Sequence, residues 1–106
     1  MPTNIKTGTV TGTGAALNVS VGFSPDYVKV FNDTAGDSLE WLSNMTAGHA
    51  FKRVAAGTGT KITTGGVSLF TGSATQQAGF TIGVDAVNTA AAVIRYIAVS
   101  NGPGAN

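Results

Sequence analysis

The sequence predicts an all-β fold: one small sandwich or barrel-like domain, of the jelly-roll type, built from about eight short strands. Three observations predict it. Gly, Thr and Ala dominate the composition with abundant Val, and Thr and Val favour strands while Gly breaks helices. Exposed-helix formers are scarce, with four Lys and a single Glu. Short apolar segments are separated by Gly-, Pro- and Asn-containing turn signals at intervals of about 8–12 residues. The length of 106 residues suits one domain with one core.

Residues 3–14 are rich in Thr and Gly and predict an extended arm or an edge strand, since Gly weakens strand interiors. Leu17, Val19 and Val21 alternate with Asn18 and Ser20, the period of a half-buried strand. Gly22-Phe23-Ser24-Pro25-Asp26 reads as a turn. In residues 27–32, Val28, Val30 and Asn32 face one way and Tyr27, Lys29 and Phe31 the other. Bulk on both faces predicts a central strand. Residues 39–42 form the next strand, and a turn of about five residues containing Gly36 joins the two into a hairpin. Further strands fall at 50–54, 61–64 and 67–70. Gly65-Gly66 stands between the last two as a two-residue hairpin turn. Phe80, Ile82 and Val84 alternate in another strand, and residues 92–99 close the chain as a β-branched strand. Ala90-Ala91-Ala92 makes 85–98 a rival helix, but Val93, Ile94, Tyr96, Ile97 and Val99 favour strand, leaving room for a short helical turn at 88–91. The organisation is a 1–14 arm, a 15–100 β domain and a 101–106 tail with a frayed end.

Composition narrows function. Charged residues make up 10% and net charge is +1, so six scattered Lys and Arg make a poor footprint for nucleic acid. Weak charge suits a surface packed against other subunits. The absence of Cys removes disulfides, thiolate nucleophiles and Cys metal sites. The first residues lack the apolar stretch of a signal peptide, and the run 90–99 is too short to span a bilayer and contains Arg95. A chain made in the cytoplasm, without a membrane role, is expected.

Candidate chemistry is sparse. His49 is the only base available to a Ser-His-acid triad, and nothing in the sequence marks an orienting partner for it. Asp33, Asp37 and Glu40 lie close together but match no calcium loop, and read as turn-shaping and solvent-facing residues. Gly57-Thr58-Gly59-Thr60-Lys61 lacks the spacing and following helix of a phosphate loop. Tyr27, Phe31, Trp41 and Tyr96 could build a sugar-binding platform, but alternating strand aromatics more often serve as core or interface anchors. No catalytic, cofactor or metal site is expected.

Four segments in order carry a resemblance: Gly22-Phe23-Ser24-Pro25-Asp26-Tyr27-Val28-Lys29-Val30-Phe31-Asn32, then Leu39-Glu40-Trp41 with Met45, then Gly79-Phe80-Thr81-Ile82-Gly83-Val84-Asp85, and finally Tyr96-Ile97-Ala98-Val99. Over residues 22–99 the chain resembles short virion structural proteins of tailed bacteriophages and prophages, and departs from them at Ala90-Ala91-Ala92 and in its Gly/Thr arm. The resemblance implies a β-rich virion protein assembled in the host cytoplasm, most simply a capsid decoration (cement) protein bound to the major capsid protein. It implies a homotrimer or another homo-oligomer and brings no catalytic residues. The alternative within the same resemblance is a tail, baseplate or fibre component with a carbohydrate-binding role. The arm, with Thr7, Thr9, Val10 and Thr11, is the expected partner-binding segment through strand addition.

Overall fold

Alternating side chains along a strand leave one face apolar, and two such faces bury each other. The computed structural model describes residues 4–84 and 86–100. Its strands are β1 (Asn4–Thr11), β2 (Leu17–Ser20), β3 (Tyr27–Asn32), β4 (Ser38–Leu42), β5 (Ala50–Arg53), β6 (Gly59–Ile62), β7 (Val67–Phe70), β8 (Gly79–Ile82) and β9 (Val93–Ser100). A single 3-10 turn, Ala86–Asn88, precedes β9. Nine described strands form two antiparallel sheets, a six-stranded one in the order β1-β9-β3-β4-β5-β6 and a three-stranded one in the order β2-β8-β7. The all-β expectation holds, and the architecture is a small sandwich in which β1 and β6 each end the large sheet with one neighbour.

The core lies between the sheets. Val28, Val30, Leu39, Trp41, Ala50, Ile94 and Ala98 from the large sheet meet Val19, Val67, Phe80 and Ile82 from the small one, with Val87 of the 3-10 turn beside them. Burying each larger side chain contributes about 1.5–3 kcal/mol of hydrophobic stabilisation. β3 is central, between β9 and β4, and its buried residues are Val28, Val30 and Asn32. Asn32 is tolerated there because it is fully bonded. Its Nδ2 donates to Val87 O (3.0 Å), and its Oδ1 accepts from Thr34 N and Ala35 N (2.9 and 2.8 Å). The side chain thereby shapes the β3–β4 turn.

The Gly65-Gly66 hairpin does not form. β6 pairs with β5 in the large sheet, whereas β7 pairs with β8 in the small one. The glycines carry the chain between sheets. Gly66 N donates to Gly48 O (2.8 Å), and Gly66 O accepts from Gly83 N (2.7 Å). A Cβ on Gly66 would stand 2.4 Å from His49 O, so the close backbone passage requires glycine.

The rival helix is also absent. The described residues make one 3-10 turn, Ala91 adopts a left-handed conformation (φ 68°), and Ala91 N and Ala92 N donate to Gly12 O and Thr89 O. Asn88 closes this corner: its Nδ2 reaches Ala15 O and Gly83 O, and its Oδ1 accepts from Thr13 N (2.9 Å).

Candidate functional site

Residues paired across an antiparallel sheet share a face, so the register maps the side of the large sheet turned away from the core. One row across it is Ile5, Val99, Tyr27 and Leu42. The next is Thr7, Ile97, Lys29, Glu40, Phe51 and Lys61, and the third is Thr9, Arg95, Phe31, Ser38, Arg53 and Gly59. No described element packs over this face, because the small sheet covers the opposite side.

The face mixes large apolar side chains with cations. Five of the seven exposed large hydrophobic residues lie on it: Ile5, Phe31, Leu42, Phe51 and Val93. Exposed apolar side chains gathered on one face are a candidate interaction surface. Four cations, Lys29, Arg53, Lys61 and Arg95, stand among these residues with Glu40, and Asp33 pairs with Arg95 at the margin. Arg95 Nε bonds Asp33 Oδ2 (3.0 Å), and its Nη1 reaches Thr9 Oγ1 (3.4 Å). Arg53 lies over the Phe51 ring at 5.8 Å, a cation–π distance. Tyr27 donates to Glu40 Oε2 (2.8 Å). Desolvation, then the bond to Glu40 and the charge of Glu40, push the Tyr27 phenol up to about 12.

The four aromatics named from sequence divide between the two faces. Tyr27 and Phe31 lie on the outer face, while Trp41 is buried and Tyr96 packs edge-on against Phe80 at 5.5 Å. They therefore cannot form one platform. Phe51 completes the outer set; its sequence signal is the alternation Ala50, Phe51, Lys52, of which Ala50 is buried.

The acids sit apart from one another in function. Asp33 pairs with Arg95, Asp37 Oδ1 accepts from Ala55 N (3.2 Å), and Glu40 takes the Tyr27 hydroxyl. His49 ends the β4–β5 loop, and its carbonyl accepts from Val67 N (3.2 Å) where the chain enters the small sheet. Among the described residues, no group of three or more His, Asp or Glu could hold a metal ion. The segment 54–58 is the turn of the β5–β6 hairpin, closed by Val54 N to Thr58 O (3.0 Å).

The segment read as arm or edge strand is the edge strand β1, paired with β9 from Asn4↔Ser100 to Thr11↔Val93 without interruption. Thr7, Thr9 and Thr11 point to the outer face, and Val10 packs against the core. Two bonds fix which backbone groups face outward. Val99 O and Val93 O accept from Asp26 N and Asp33 N on the β3 side, so alternate β9 residues turn to β3 and the intervening ones to β1. Asn4, Lys6, Gly8 and Val10 therefore bond β9, and Ile5, Thr7, Thr9 and Thr11 direct their N–H and C=O groups to the open side. Tyr96 lies across Gly8, where an added Cβ would stand 2.6 Å from its hydroxyl.

No family model, curated protein or solved structure matches this chain.

Proposed function

We propose that this protein is a structural protein of a tailed-phage virion, without catalysis or cofactor. In this reading it is a capsid decoration protein that binds the major capsid protein lattice and stabilises the shell. The observation that carries the reading is the outer face of the six-stranded sheet, where Ile5, Phe31, Leu42, Phe51 and Val93 stay exposed beside four cations. Such a face suits a broad, somewhat acidic protein surface: aromatic and Arg anchors supply most interface energy. The ordered sequence resemblance over 22–99 gives the kind of partner. Many copies acting together would make a modest area per copy sufficient. The tail or fibre alternative with a sugar platform is weakened, since Trp41 and Tyr96 are turned to the core side.

The test is co-sedimentation of the purified protein with shells of the major capsid protein from the same phage. The wild type is expected to saturate the shells. A Phe31→Ser/Phe51→Ser variant is expected to lose occupancy by at least about tenfold, as for central interface aromatics, while keeping its Tm within a few degrees. Unchanged occupancy would remove this face from the reading, and labelling on the tail would replace the capsid assignment.

A further inference from the structure

The open edge of β1 differs from the other three sheet edges. β6, β2 and β7 are each four residues long, whereas β1 has eight. Proteins usually blunt an edge with shortness, bulges, proline or charge. β1 has an unbroken register, no proline and one charge, Lys6. That lysine, on the core side of the sheet opposite Ala98, is the one charge guarding this edge, and it limits the registers open to a second strand.

We propose that this edge pairs with the same edge of a second copy, antiparallel about a twofold axis through Gly8. Two six-stranded sheets then become one continuous sheet, independently of what the outer face binds. The register follows from parity. A twofold axis perpendicular to the sheet sets residues of one face opposite residues of the same face, so the axis passes through a residue and not between two. Centred on Gly8, Thr7 stands opposite Thr9 of the second copy and Ile5 opposite Thr11 of the second copy. All four outward-facing residues of each strand are then hydrogen-bonded. Centred on Thr7, only Ile5, Thr7 and Thr9 find partners. Centred on Lys6, two ammonium groups oppose each other, which is destabilising. The Gly8 centre instead places Lys6 opposite Val10 of the second copy.

Gly8 suits the axis. It occupies a non-hydrogen-bonded pair, where Cα atoms come to about 4.5 Å. The Tyr96 ring already fills the space its missing side chain leaves. Such an isologous contact closes at two copies, a dimer among the homo-oligomers that the resemblance implies.

The chain contains no cysteine, so engineered thiols report cleanly. Thr7 and Thr9 of opposing copies would lie about 5.5 Å apart at Cα, within disulfide range. Oxidising a mixture of Thr7→Cys and Thr9→Cys proteins is expected to give a disulfide-linked heterodimer, and Thr7→Cys alone to give none. Light scattering of the wild type should show a mass of twice 10.6 kDa. Thr9→Pro removes an outward N–H without touching the β9 ladder, and is expected to weaken the dimer by about 10- to 100-fold through lost hydrogen bonds. A monomer or trimer by light scattering, with no crosslink in the mixture, would overturn the pairing and leave the edge to a strand from a different protein. A crosslink in Thr7→Cys alone would overturn the Gly8-centred register. Either result leaves the outer-face test above untouched.

Discussion

The two faces of the six-stranded sheet come from the same strands and differ only by alternation. On β4, Leu39 faces the core and is 0% exposed, while Leu42 faces outward and is 49% exposed. On β3, Val28 and Val30 are buried, and Tyr27, Lys29 and Phe31 sit opposite. One face holds the fold together, and the other keeps apolar side chains that the fold does not need. The difference teaches that burial between the sheets accounts for the inner apolar residues and not for the outer ones, which the proposed reading assigns to a partner.

Three substitutions measure that difference, the largest effect first. Leu39→Ala is expected to destabilise by about 2–5 kcal/mol, because it leaves a cavity between the sheets. Leu42→Ala, the same change three residues along the chain, should cost less than about 1 kcal/mol. Thermal or urea unfolding of the pair checks this, and equal costs would abolish the distinction between the faces. Asn32→Ala should cost about 1–3 kcal/mol, because it strips the turn amides of Thr34 and Ala35 of their acceptor. The m-value should stay constant if the sheet itself is kept.

The smallest effect lies on the outer face and depends on pH. The Tyr27 phenol is raised from an ordinary value of 10.0 to about 12, so the folded state favours its neutral form. Its contribution is complete below pH 10 and is lost as pH rises through about 12. Absorbance at 295 nm should show a late-titrating component that disappears in Tyr27→Phe. That variant should also lose less of its Tm than the wild type over the same window.

Much of this was legible in the chain itself. Six residues of strict alternation in β3 suffice to show both its faces and its central place, and the β3–β4 hairpin follows from the turn around Gly36. Shorter strands carry too few repeats to show their partners. β6 and β7 have four residues each, and a glycine pair between them reads equally as a tight turn or as a passage between sheets. Only the approach of Gly48, His49 and Gly83, distant in sequence, decides it. The outer face was half visible. Sequence groups Tyr27 and Phe31 with Trp41 and Tyr96, because composition does not show which side of a sheet a residue takes. Ile5, Leu42 and Phe51 join them only through a register that spans four strand pairings.

The pairing of the first strand with the last has a kinetic consequence. Arg95 and Thr9, joined across β1 and β9, are 86 residues apart in the chain. Asn88 bonds to Thr13 and Ala15 over 75 and 73 residues. Closing loops of that length precedes the gain from their contacts, and such topologies fold slowly. During synthesis β1 is made well before its β9 partner. Until β9 is made, both edges of β1 lack a partner strand, so a nascent chain crowded among sister copies on one messenger exposes an unpaired strand while the intervening residues are translated.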